Sequence, residues 1–215
     1  MQSGLWVGTV TVDAVDSLAR PDADTPAPAG GDFSFRLIVH VGESQNARLL
    51  KQVVMLTGGG EDMALYTDLA ALNAAVERRQ SADPESLIET RRVSTPAFDF
   101  GPASLPMSGA LAPGQSVRID IPIRRDDPTN PFAHRAHPQH DGKNDGIAPE
   151  PDKGGGEIYE IVRRLELTPD AEPGKDDAIV NGRYSETIEG LGARPIRVSG
   201  QFQIRRVFDN ADLDP

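Results

Sequence analysis

The sequence predicts an all-β chain: an antiparallel β-sandwich, jelly-roll-like, with one short helical insertion. Three observations predict it. Period-two alternation recurs along the chain, as in Phe33-Ser-Phe-Arg-Leu-Ile-Val-His-Val41, Val117-Arg-Ile-Asp-Ile-Pro-Ile123 and the stretch from Ile196 to Ile204. The alternating segments are separated by turns drawn from 21 glycines and 18 prolines, the punctuation of many short strands. Helical spacing is confined to one window, 67–80, so the strand–helix–strand rhythm of a doubly wound fold is missing.

In chain order, residues 5–13 are rich in β-branched side chains and place Trp6, Val10 and Val12 on one parity, which predicts a strand. Residues 20–32 hold three prolines and two glycines and read as a flexible loop. Only one strand precedes that loop, too little for a domain, so residues 1–215 are taken as a single domain with the loop inside it. Residues 33–41 and 47–57 form a long antiparallel hairpin. Its second arm is apolar on both faces and therefore central.

Gly58, Gly59 and Gly60 break that arm. Leu69, Leu72 and Val76 then follow helical spacing behind the capping residues Thr67 and Asp68. β patterning returns over 91–123, where Pro122 marks an edge strand. A long loop, 126–156, precedes strands at Ile158 to Leu167, Tyr184 to Ile188 and Ile196 to Ile204. Gly200 falls on the core parity and signals a bulge or a close crossing. The acidic end from Asp209 to Pro215 is expected to fray.

A formal net charge of −11 repels phosphate backbones and argues against nucleic acid. The absence of cysteine removes disulfides, thiolate metal sites and cysteine nucleophiles. No apolar run reaches the roughly 18 to 20 residues that span a bilayer. The first residues have neither a basic nor an apolar leader region, which fits a cytosolic chain or a piece of a longer secreted one.

The loop holds three of the four histidines. His134, His137 and His140, with Asp141, supply the nitrogen and oxygen donors of a Zn²⁺ site. Asp141, Asn144 and Asp145 belong to a run that partly matches a Ca²⁺ loop, with Lys143 where an oxygen ligand is needed. A third reading has the histidines only bonding backbone carbonyls of a long loop. His40 reads as a surface or cross-strand residue. Glu157, Glu160 and Glu166, flanked by Arg163 and Arg164, read as a solvated sheet face rather than a carboxylate pair for glycoside hydrolysis. Trp6, Tyr66, Tyr159 and Tyr184 could make a carbohydrate platform only through the fold. The chain lacks a nucleophile elbow, a His-Glu-x-x-His run, a phosphate loop and a dinucleotide fingerprint, so no catalytic residue is assigned.

The hairpin Phe-Ser-Phe-Arg-Leu-Ile-Val-His-Val with Ala-Arg-Leu-Leu-Lys-Gln-Val-Val, the loop Asn-Pro-Phe-x-His-x-x-His-Pro-x-His-Asp, and Gly-x-Tyr-x-Glu-x-Ile-x-Gly-Leu with Val-x-Gly-x-Phe resemble uncharacterised β-rich modules of large bacterial secreted or surface proteins. The resemblance implies an extracellular or cell-surface location and modular use. The expectation is a non-enzymatic structural or interaction module of a larger extracellular bacterial protein or assembly, binding other chains or copies of itself. The alternative is a metal-dependent module, with Zn or Ca, that binds cell-surface glycan or hydrolyses a substrate.

Overall fold

The computed structural model describes residues 1–15, 27–28, 33–98, 101–124, 160–170, 178–190, 195–210 and 212–213. Thirteen strands and one helix occupy them: β1 (Gly4–Val15), β2 (Ala27–Pro28), β3 (Ser34–Val41), β4 (Ala47–Leu50), β5 (Gln52–Gly58), β6 (Glu61–Tyr66), α1 (Leu69–Ala82), β7 (Glu89–Ser94), β8 (Ser104–Pro106), β9 (Ser108–Gly109), β10 (Val117–Ile123), β11 (Ile161–Pro169), β12 (Ile179–Glu189) and β13 (Ile196–Phe208). The expected all-β class with one helical insertion is present.

The large sheet runs β8-β4-β3-β1-β13-β12-β11-β10-β9, with β2 beside β1. Only Met107 separates β8 from β9. One short stretch therefore pairs with β4 through its first half and with β10 through its second, and Met107 N donates to Ala47 O at 2.9 Å. The sheet is thereby nearly closed into a barrel. With β8 and β9 taken as one split strand, eight strands ring it, all pairs antiparallel. Around this ring each strand lies next to its predecessor in the chain, and β13 returns to β1. The expected jelly-roll-like sandwich of two facing sheets differs from this curled sheet. Period-two alternation is common to both, and the pairing partners decide between them.

Inside the ring pack Trp6, Val10, Leu37, Val39, Leu49, Val117, Ile119, Ile121, Leu165, Leu167, Val180, Tyr184, Phe202 and Ile204. An eight-stranded barrel has an interior that side chains can just fill, and these fill it. Two glycines allow the close contacts. A Cβ on Gly182 would lie 2.5 Å from the Phe202 ring, and one on Gly200 would lie 2.1 Å from Thr11 O. Gly200 sits beside a register shift between Val12 and Ala14, so both the bulge and the close approach expected there are found.

Residues 47–57, expected as one arm, divide at Lys51. β4 stays in the barrel, while β5 leaves to become the centre of a second sheet, β6-β5-β7. That division explains apolar residues on both faces. Val53, with Leu65, packs on Leu5, Ile38 and Leu50 outside the barrel wall. Val54 and Leu56 face the helix with Tyr66, Leu72 and Ala75. The insertion is thus layered as barrel wall, small sheet and helix.

α1 begins where expected. Asp68 is its N-cap, its carboxylate accepting from Ala71 N at 2.9 Å. Leu69, expected on the apolar face, is exposed. The buried stripe is Leu72, Ala75 and Arg79.

The acidic end does not fray over its described part. Asn210 Nδ2 donates to Met63 O at 3.4 Å, and Phe208 and Leu213 pack against the Leu5–Ile38 cluster.

Candidate functional site

His134, His137, His140, Asp141, Asn144 and Asp145 lie outside the described residues, as do the rest of the 126–156 loop and Tyr159. What is described is the strand pair that flanks this loop in the chain. The β10–β11 pairing ends at Ile123–Ile161, and Arg163 is the next inward position on β11. Two regions hold polar side chains in arrangements that the sequence did not disclose.

The first lies inside the barrel. Arg163 Nε donates to Glu186, whose other carboxylate oxygen accepts from Tyr184 Oη at 2.6 Å. Arg163 Nη1 donates to Ala97 O at 2.7 Å, and its guanidinium stands 5.3 Å over the Phe98 ring. Phe35 meets Phe98 and Tyr184 edge-on, each at 5.5 Å. The side chains of Arg163 and Glu186 are 16% and 4% exposed. Burial, reinforced by the neighbouring carboxylate, raises the Tyr184 hydroxyl well above its ordinary value, so it donates as a neutral phenol. Burial, the largest single influence, would lower the Arg163 guanidinium, but the hydrogen bond and charge of Glu186 together with Tyr184 outweigh it and the net direction is up. Every group in this network has a partner, and this arrangement closes a core.

Arg163 was expected on a solvated face. That expectation holds for its neighbours: Glu166 pairs with Arg118 at 3.0 Å, and Arg164 with Glu189 at 2.6 Å. Arg163 has the opposite parity and points inward. The aromatic platform does not form from the described members, since Trp6, Tyr66 and Tyr184 are all buried.

The second region is a cleft of about 920 Å³ on the barrel's flank. One wall is β6 and α1, with Glu61, Asp62, Met63, Arg78 and Arg79; the other is the chain end, with Phe208, Asp209, Asn210, Asp212 and Leu213. Arg79 builds the first wall. It is 1% exposed and donates to Gly58 O at 2.8 Å and Asp62 O at 2.7 Å, clasping the turn from β5 to β6. Gly59 (φ +72°) sits directly against it, 2.6 Å from a Cβ position to Arg79 Cβ. Arg79 Nε is 3.2 Å from Glu61 Oε2 without an aligned N–H. Arg78 binds the same carboxylate at 2.9 Å and holds its pKa below the ordinary value.

His40 fixes the second wall. Of the two expected placements, surface or cross-strand, it takes the second: it lies opposite Arg48 and is buried, with Asn210 of the chain end against it. Its Nε2 lies 3.3 Å from Asn210 O, the geometry of an N–H donor to a carbonyl. Burial lowers its pKa, and Arg48 adds to that; the Asn210 bond and Asp212 oppose it.

Three carboxylates in the cleft, Asp62, Asp209 and Asp212, are exposed and form no side-chain hydrogen bond or ion pair among the described residues. With Glu61 they make four acids against two arginines, both arginines already committed to Glu61. Among the described residues no three His, Cys, Asp or Glu side chains are gathered closely enough to hold a metal ion. The lining thus joins an acidic surplus to the apolar side chains of Met63, Phe208 and Leu213. Acidic letters at 61–62 and 209–212 were visible in the sequence. Their convergence depends on β13 ending beside β6, which no local pattern shows.

No known protein-family model matches the chain, and no curated protein matches it. No described helix is long and apolar enough to cross a membrane.

Proposed function

We propose that this chain is a non-enzymatic interaction module of a larger extracellular bacterial protein or assembly, and that it engages other protein chains through the flank cleft. The observation that carries the reading is the surplus of carboxylates that have no side-chain hydrogen bond or ion pair among the described residues, in a groove whose first wall is held by Arg79. Asp62, Asp209 and Asp212 are left over after Arg78 and Arg79 have engaged Glu61 and the β5–β6 turn. Side chains fill the barrel interior, so the interior supports a scaffold role. Groove and scaffold together favour docking of a partner on the outer surface.

The test is calorimetric titration of the full chain with hexa-arginine, a short extended cation, at low salt. Binding that weakens at least tenfold when Asp62, Asp209 and Asp212 are all changed to Asn, and survives when the exposed Glu43, Glu77 and Glu85 are changed to Gln, supports the cleft. Equal weakening in both triple variants would show only a general attraction to an acidic protein and would remove the reading.

A further inference from the structure

We infer that β7 is a self-association edge: two copies of this chain join β7 to β7, antiparallel about a two-fold axis at Thr90, so that their small sheets fuse into one of six strands. The surface is separate from the flank cleft, and the inference stands or falls independently of the reading above.

The small sheet has two edges, β6 and β7. β6 lies beside the chain end, where Met63 O accepts from Asn210 Nδ2. β7 pairs with β5 alone among the described strands, and five of its six residues are exposed. The pairing runs from Gln52–Ser94 to Thr57–Glu89 without a register shift, and just beyond it Thr95 N donates to Lys51 O at 2.9 Å. Backbone groups of successive strand residues point to opposite sides. Those of Val93, Arg91 and Glu89 therefore point with Thr95 toward β5, and those of Ser94, Arg92 and Thr90 point to the open side. Ser94 shows this directly, its carbonyl accepting from Arg36 Nη1 at 3.1 Å. Thr90 and Arg92 are left with a donor and an acceptor each on the open side, the template of an unpaired edge.

Side-chain charge selects the register. Glu89 and Arg91 share one face of β7, and neither side chain has a hydrogen bond or ion pair among the described residues. In a two-fold antiparallel pair the axis passes at a residue that faces its own copy, since only positions of equal parity can bond one another. An axis at Thr90 sets Glu89 opposite Arg91 of the second copy, twice over, and Leu87 opposite Val93. An axis at Glu89, Arg91 or Arg92 sets that charge against itself, and one at Val93 or Ser94 displaces Arg36 from the Ser94 carbonyl. With Thr90 bonding Thr90, the Glu89–Arg91 and Leu87–Val93 positions become non-hydrogen-bonded pairs, where facing side chains lie closest. Leu87 is 74% exposed, the most exposed large apolar side chain described, and gains the half-buried Val93 as a neighbour. Arg92, on the opposite face, keeps its bond to Gln52.

The experiment is sedimentation velocity on the full chain across a concentration series. The wild-type chain is expected to pass from monomer to dimer and no further, because a two-fold contact uses the same edge of both copies. Glu89→Arg and Arg91→Glu, each alone, oppose like charges twice and should weaken the dimer at least tenfold. An equimolar mixture of the two should associate again, and so should a chain carrying both changes. Thr90→Pro removes the central interchain N–H without touching the β5 ladder, and should give a monomer whose circular dichroism is that of the folded chain. A wild-type chain that stays monomeric overturns the inference, as does a dimer indifferent to these changes or one that the paired charge reversal does not restore. A dimer lost only when Asp62, Asp209 and Asp212 are changed to Asn puts self-association at the cleft and overturns it as well.

Discussion

The barrel interior and the flank cleft use the same side-chain types to opposite ends. Inside, Arg163, Glu186 and Tyr184 bond one another around Ala97 O and the Phe98 ring. In the cleft, Arg78 and Arg79 are consumed by Glu61 and by the β5–β6 turn, and three carboxylates form no side-chain hydrogen bond or ion pair among the described residues. A charge taken out of water must be matched within the chain or the fold fails; a charge left in water can wait for something outside. On the proposed reading the interior network is architecture and the cleft is where a partner docks.

The sharpest way to break the comparison is at Glu186. Glu186→Ala leaves Arg163 unpaired in the barrel and is expected to cost about 3–5 kcal/mol in urea unfolding. Replacing Arg163 and Glu186 together by Met and Leu should recover most of that loss. A cost below about 1 kcal/mol for the single change would show that the buried pair is not what secures this end of the barrel. Arg79→Met comes next. It removes two charged hydrogen bonds to backbone carbonyls, an expected loss of about 3 kcal/mol. Hydrogen exchange should show it concentrated in α1 and the β5–β6 turn, with the barrel strands still protected.

A smaller effect separates the walls of the cleft. His40 is buried with its pKa lowered below the ordinary 6.5, so the folded chain prefers the neutral ring. The stabilisation from that depressed pKa is complete above the unfolded value near 6.5 and is lost as pH falls toward the folded value. The melting temperature should therefore decline between pH 7 and pH 5. Because the decline comes from protonation of this buried ring, it should be absent in His40→Gln. Last, changing Asp62, Asp209 and Asp212 to Asn should shift stability by no more than about 0.5 kcal/mol, because these exposed side chains form no hydrogen bond or ion pair among the described residues. A large loss there would erase the distinction between the two regions.

Much of the barrel could be read from the chain. The alternation in β3, β10 and β13 gave their inward residues correctly, and Asp68 marked the start of α1. The same alternation misplaced Arg163, because its inward parity on β11 was outvoted by its charge. It left His40 between surface and cross-strand for a related reason: the face of β3 opposite the barrel interior reads as solvent until another layer is known to cover it. Arg79 occupies a core position of the helix, at the spacing Leu72, Ala75, Arg79, yet a cation there is credible only once the carbonyls of Gly58 and Asp62 are seen to receive it.

The sequence by itself determined the class of the fold, the period of its strands, the helix and its cap, and an acidic surface, because each of these is set by residues close together in the chain. Tertiary structure decided that the strands curl into a nearly closed barrel, that residues 47–57 divide between two sheets at Lys51, and that carboxylates some 150 positions apart share one cleft. Pairing between distant strands, governed by which surfaces can be buried together, is a property of the whole chain.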